Sequence, residues 1–309
     1  MTSEREFINQ LASRFPPADP VTIGIGDDGA VLSHSRDTSI AVVTDMLLDG
    51  VHFDLKSASP ELVGRKAIAV NLSDLAAMAC RPTAAFVSIA VPRSGLPENF
   101  LTRVYDGIQQ LTDQFQFTLA GGDTNSWNGP FAINVCLTGI PFRDRPVLRS
   151  TARPGDGIYV TGALGGSLRF DRHLSFTPQL AESEWLSRHT TIHSMMDISD
   201  GLSLDLSRLV EASGVAAILD ASQIPVHPDV SSELSIDQRL AAALGDGEDF
   251  VLLFTADMQN MDNLVRHGLR LPFPVHCIGT VASGTGCRIR AADGQLTPLL
   301  STGWQHSIS

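Results

Sequence analysis

Apolar residues Phe7, Ile8, Leu11 and Phe15 recur at helical spacing and predict an amphipathic helix over 3–15. Ser3 with Glu6 forms a capping box at its start, and Pro16-Pro17 ends it. The run Ser39 to Val43 predicts a buried strand ending in Thr44-Asp45, with a loop from Asp49 to Phe53. That places a hydroxyl and a carboxylate at the C-terminal end of a strand, where ligands gather in α/β structures. Glu61 to Cys80 is mostly small and apolar on every side, the pattern of a buried helix. Asn71 and Asp74 lie three apart on one face of it. A buried carboxylate without a partner is costly, so Asp74 is either on an exposed side or a metal ligand.

Further on, 84–91 predicts a strand and 97–115 a helix carrying Tyr105. A short strand over 117–120 leads into Gly121-Gly122-Asp123-Thr124, and another strand follows over 131–140. The stretch 143–156 reads as a link between domains and holds Arg143, Arg145, Arg149 and Arg153. Strands are predicted at 157–161, 215–220, 250–254 and 277–281, with a helix over 203–213. The length of 309 residues suggests two domains, divided at the arginine-bearing link into 1–142 and 143–309.

Composition narrows the chemistry. A formal charge of −12 argues against a nucleic-acid partner, which needs a basic surface. No apolar run is long enough for a membrane span, and the polar start Met1 to Glu6 lacks the regions of a signal peptide. Cys80, Cys136, Cys277 and Cys287 are scattered, as expected of reduced thiols in a cytoplasmic protein. The two lysines, Lys56 and Lys66, do not complete a P-loop. Protein-kinase signatures are absent as well.

What remains is a set of Asp-rich turns in both halves. Gly24 to Gly29 fits the dinucleotide fingerprint literally, but Asp27 and Asp28 would set two negative charges against the phosphates. A carboxylate pair on a glycine-flanked turn suits a hard cation better; a plain surface turn is the alternative. At Gly121 to Thr124 the glycines allow close approach of a phosphate, and Asp123 could bind a cation shared with it. Asp197 and Asp200 bracket a helix start, where acidic residues also serve as caps. Gly247-Glu248-Asp249 precedes a strand in the same way.

These stretches, in this order, closely resemble the thiamine-monophosphate kinase family: Gly24 to Asp28, Thr44-Asp45 with Gly50 to Phe53, Lys66 to Met78, Gly121 to Thr124, Met196 to Leu202 and Gly247 to Asp249. The resemblance runs over nearly the whole chain. It implies an α+β fold of two α/β-layered domains, as in the aminoimidazole ribonucleotide synthetase-like group of ATP-using proteins, a homodimer in which N-terminal sheets pair, and ATP-dependent phosphorylation of thiamine monophosphate to thiamine diphosphate. It also implies several magnesium ions held by Asp28, Thr44, Asp45, Asp74, Asp123, Asp197 and Asp200. Among these, Asp45, Asp74, Asp123 and Asp200 take the catalytic role. Tyr105, Gly122, Asp123, Arg149 and Ser199 would contact ATP, and His52, Glu248 and Trp304 the thiamine phosphate.

Some positions depart from the family pattern. The family's Arg-His-x-x-Pro-x-Pro-Arg stands here as Arg172 to Gln179, with Phe176 and Gln179 replacing a proline and an arginine. Other ATP-dependent members of the group, or a non-catalytic nucleotide-binding homologue, are the alternatives. The N-terminal cysteine of selenophosphate synthetase and the cysteine tail of the hydrogenase-maturation relative are both missing.

Overall fold

The computed structural model describes residues 4–35, 38–261 and 271–305. The first half runs through α1 (Glu4–Arg14), β1 (Val21–Ile23), β2 (Ala30–Ser35), β3 (Thr38–Leu48), α2 (Pro60–Ala77), β4 (Cys80–Pro92), α3 (Phe100–Phe115), β5 (Thr118–Trp127) and β6 (Ala132–Pro141). Ser3, the expected cap of α1, lies outside the described residues. The strands form one sheet in the order β1-β2-β3-β6-β4-β5, antiparallel except for β4 with β5.

The second half holds β7 (Asp156–Val160), α4 (Arg172–Ser175), α5 (Leu180–His189), β8 (Ile192–Asp197), α6 (Leu202–Ser213), β9 (Ala216–Asp220), α7 (Ile236–Gly245), β10 (Leu252–Asp257), β11 (His276–Ala282), β12 (Gly286–Arg290) and β13 (Leu296–Pro298). Its sheet is ordered β13-β12-β9-β11-β7-β10-β8. Helices α5 and α7 and strands β8, β12 and β13 were not among the expected elements. Strands β12 and β13 are too short for periodicity to mark, whereas α7, with Ile236, Leu240 and Leu244 four apart behind the Ser235–Gln238 capping box, does carry a helical signal in the sequence.

Helix α2 organises the molecule. Ser59 caps it, Pro60 sits at its first position, and thirteen of its residues are buried. It packs on β3, β4 and β6 of the first sheet and on β8 and β10 of the second. One core therefore spans both halves, joining Ile68, Leu72 and Leu75 of α2 to Phe131 and to Phe254 of β10. A helix covered on two sides by sheets must be apolar nearly all round, as its sequence is. A second core, between the far face of the second sheet and α6, holds Leu206, Leu209, Leu219 and Ile278.

Two local expectations are corrected. Strand β3 continues to Leu48, so Thr44-Asp45 lies within it rather than at its end. Gly121 to Thr124 is likewise inside β5, not a turn after a shorter strand. Backbone pairing with β6 and β4 carries both strands on through the poor strand formers Asp45 and Gly121 to Asp123.

Candidate active site

Successive side chains of a strand face opposite sides, so the continuation of β3 separates Thr44 from Asp45. Asp45 shares the inward face with buried Val43 and Leu47 and meets α2. Thr44 faces outward, where its hydroxyl donates to the Val135 carbonyl at 3.0 Å. Register across the sheet puts Asp123, opposite Ser88, on that outward face too, beside exposed Met46 and Phe86. Asp123 there accepts from the Thr124 N–H at 2.9 Å and the Asn125 amide at 2.7 Å. At Gly122 a Cβ would stand 1.8 Å from the Val87 carbonyl oxygen, so this position needs glycine for strand pairing alone. Tyr105, on α3, is partly buried against the first core.

Beneath the sheet, three carboxylates converge. Asp28 comes from the turn before β2, Asp74 from the last turn of α2, and Asp197 from the end of β8. One oxygen of each lies within 4.8 Å of the others. Asp45 lies beside Asp74, close enough for the two charges to interact. Ser73 donates to Asp197 at 2.5 Å. Burial, then mutual repulsion, pushes Asp74 and Asp197 well above the usual carboxylate range, and burial raises Asp45 too.

Arg149 is the guanidinium at this cluster. Its Nε donates to Asp28 at 2.7 Å and its Nη2 makes a second bond to the same carboxylate. Its backbone N–H reaches Asp27 at 3.1 Å. Burial opposes the charge of Arg149, but Asp28, Asp27 and Asp74 outweigh that and hold it firmly protonated. Asp27 itself is pushed up to about 6, by burial first and then by Asp28. Arg143, another linker arginine, goes elsewhere and donates to the Ser187 carbonyl at 3.0 Å.

One guanidinium cannot offset Asp28, Asp45, Asp74 and Asp197 together. An all-oxygen, net-negative donor set of this kind fits a hard divalent cation. Asp200 stands beside it in the Ser199–Gly201 turn. That turn is tied down by Asp205, whose Oδ2 accepts from the N–H groups of Ser199, Asp200 and Gly201 at 3.1, 3.0 and 3.2 Å. Arg208 bridges Asp200 at 2.5 Å and Asp205 at 2.8 Å.

A cavity of about 580 Å³ opens between the two halves, lined by Asp45, Asp74, Asp197, Ser199 and Asp200 and also by His52, Glu248, Phe250 and Trp304. His52 Nδ1 accepts from the Leu48 N–H at 3.0 Å, which leaves the proton of a neutral ring on Nε2. Lys66, fully buried in α2, donates to the His52 carbonyl at 2.7 Å and pairs with Glu248. Phe176 stacks on Phe250 with centroids 4.1 Å apart, and the Gln179 amide oxygen accepts from the Leu252 N–H at 3.1 Å. Both departures from the family pattern are thus packed into the wall of the second domain.

The cavity therefore brings together eight expected side chains, with Asp28 and Arg149 adjoining them. It does not include Thr44, Gly122, Asp123 or Tyr105. Lys66, Ser73, Asp205 and Arg208 are additions. Lys66 left a signal, being a charge inside an otherwise apolar helix; Asp205 read only as an acid in a first helical turn.

Residues 26–140 match the family model "AIR synthase related protein, N-terminal domain". The chain is 34% identical to a thiamine-monophosphate kinase of Rhodopirellula baltica, covering 98% of this chain and 97% of that one. Against the thiamine-monophosphate kinase of Escherichia coli (strain K12) it is 33% identical, covering 93% and 92%. The solved complex of AaThiL with AMPPCP and TMP superposes with a TM-score of 0.83 at 28% identity, over 99% of this chain and 97% of that one.

Proposed function

The chain belongs to the thiamine-monophosphate kinase family, and from that premise we propose that it transfers the γ-phosphoryl group of ATP to thiamine monophosphate, giving thiamine diphosphate and ADP. The observation that carries this reading is the shared cavity: an acidic cluster and the residues expected to meet the thiamine moiety line one space. The acceptor is a phosphate monoester, largely dianionic near neutral pH because its second pKa is about 6. No proton has to be removed before attack, and no general base is needed. The barrier is the approach of two polyanions.

Asp28, Asp45, Asp74, Asp197 and Asp200 would hold magnesium, which when bound offsets phosphate charge and aligns the reacting groups. Arg149 keeps Asp28 in place and adds a cationic group near the phosphates. Ser199 and Asp200, presented by the Asp205-anchored turn, face the nucleotide side. His52 and Glu248 meet the substrate, and Trp304 offers an aromatic face to its cationic ring, an attraction of about 0.5–2 kcal/mol.

Thr44, Asp123, Gly122 and Tyr105 keep their proposed metal and ATP roles by resemblance. For Thr44 and Asp123 that places the ligand at the outward face of the first sheet. Met46, Phe86 and Trp127 are exposed there, and we assign this face to a second copy in a homodimer. The division into domains 1–142 and 143–309 follows the two sheets, although one core crosses it. Among the described residues no helix is long and apolar enough to cross a membrane; a cytoplasmic location is part of the proposal. Incubation with magnesium, ATP and thiamine monophosphate should yield thiamine diphosphate and ADP in equal amounts. ATP binding without that product would reject the reading in favour of a non-catalytic homologue.

A further inference from the structure

Lys66 is a fully buried lysine in the middle of the central helix, and its ammonium group has two acceptors from opposite sides of the cavity. One is the His52 carbonyl, on the loop after β3 of the first sheet, at 2.7 Å. The other is the Glu248 carboxylate, on the loop before β10 of the second. Glu248 itself has φ +57°, a left-handed conformation that a residue with a side chain adopts at a cost. Its N–H donates to the Ser199 carbonyl at 2.6 Å, and the next-but-one N–H, of Phe250, to Ile198 at 2.8 Å. Backbone strain of this kind persists only where surrounding contacts over-determine it, and it gathers at functional sites. The Glu248 side chain is partly exposed, while Lys66 is not exposed at all. The carboxylate is therefore the part of the pair that the cavity can reach.

We propose that Lys66 is the positioning residue for substrate recognition: fixed on the His52 carbonyl, its ammonium group holds the Glu248 carboxylate in one orientation toward the cavity. The proposal rests on the kinase reading and deepens it. It also says what kind of contact Glu248 makes. A carboxylate whose charge is already offset by a buried ammonium group is a weak counter-ion for a cationic substrate. It is an oriented acceptor for a hydrogen-bond donor of that substrate. The competing view, in which Glu248 attracts the cation by charge, makes the opposite forecast for loss of Lys66. Removing the ammonium group would then free negative charge and tighten binding.

The test compares Lys66→Met, Glu248→Gln and the double variant with the unaltered protein, measuring KM for thiamine monophosphate and for ATP and kcat. Each single change is expected to raise KM for thiamine monophosphate by roughly tenfold or more, the scale of a lost charge-assisted hydrogen bond. KM for ATP should stay within about twofold, since the altered contact is made by the other substrate. The double variant should be no worse than Glu248→Gln, because Lys66 acts through Glu248. A lowered or unchanged KM for thiamine monophosphate in Lys66→Met overturns the proposal. So does a double variant whose defect is the product of the two single ones, or an equal rise in both KM values. Lys66→Met leaves the Glu248 carboxylate without its counter-charge and can fail to fold. In that event Glu248→Gln against the double variant decides, equal KM values supporting the proposal and a tenfold gap sinking it. An unaltered protein with no turnover at all instead rejects the kinase reading itself.

Discussion

Replacing Asp74 by asparagine should abolish catalysis and stabilise the metal-free protein. Asp74 is at the centre of the repulsion: its carboxylate approaches those of Asp28 and Asp197 within 4.8 Å, and the charge of Asp45 adds to theirs. At that separation one full like-charge pair costs about 3.5 kcal/mol at an effective dielectric constant near 20. Arg149 attracts Asp74, and proton uptake by Asp74, Asp197 and Asp45, whose carboxyls burial pushes upward, removes part of the repulsion. A net gain of about 1–3 kcal/mol on removing the charge remains after these offsets. For a chain of this length that raises Tm by about 1.5–5 °C. The same change removes one of the carboxylates that would hold magnesium, and turnover should fall at least a hundredfold or so. Thermal melts at pH 8 in EDTA and in excess magnesium, with a coupled assay for ADP, measure both effects. The unaltered protein should gain stability from magnesium, and Asp74→Asn should gain much less. A variant that melts lower than its parent in EDTA, or keeps near-normal turnover, would refute the account of the cluster.

Other consequences can be checked separately. Asp27 has a folded-state pKa of about 6, above its ordinary value of 3.8, so between these values the folded protein binds more protons than the unfolded chain. Its contribution to stability is then largest at low pH and falls as pH rises through that window, by up to about 1.4 kcal/mol per pH unit. Urea titrations in EDTA should show this decline relative to Asp27→Asn; a difference that stays flat from pH 4 to 6.5 contradicts it. At Gly303 a Cβ would stand 2.4 Å from the Asp200 carbonyl oxygen, while Trp304 N–H donates to that same oxygen at 3.1 Å. Gly303→Ala should therefore displace Trp304 and raise KM for thiamine monophosphate several-fold, read from initial rates; an unchanged KM removes Trp304 from the substrate site. Phe86→Glu should turn a dimer into monomers in light scattering, because it buries a charge where the outward face is proposed to pack; a dimer of unchanged stability would place the interface elsewhere.

Much of the first half was legible because local pattern and tertiary environment agree. The all-round apolar run of α2 reads as a buried helix, and a buried helix is what two flanking sheets require. Asp74 was legible too, as a carboxylate in an apolar stretch, but the role of Lys66 was not, because its partner Glu248 lies in the other half of the chain. The extent of β3 and β5 was not. Asp45 and Gly121 to Asp123 are poor strand formers, and pairing with β6 and β4 extends the strands through them. That extension decides function, because a strand sends neighbouring residues to opposite faces and so parts Thr44 from Asp45.

By itself the sequence determined the composition of the site: oxygen donors in quantity, few lysines, glycines beside carboxylates, and the order of stretches that marks the family. Which charge meets which was decided only by the tertiary structure. Arg149 and Asp28 are 121 residues apart and Lys66 and Glu248 are 182 apart. Helix and strand preferences act over a few residues, whereas a buried charge takes whichever partner the packed sheets bring within hydrogen-bond reach. The turn at Asp27 and Asp28 illustrates the difference. Alone it is a polar surface turn; under the first sheet, against Arg149 and facing Asp74 and Asp197, it is one wall of an acidic cluster.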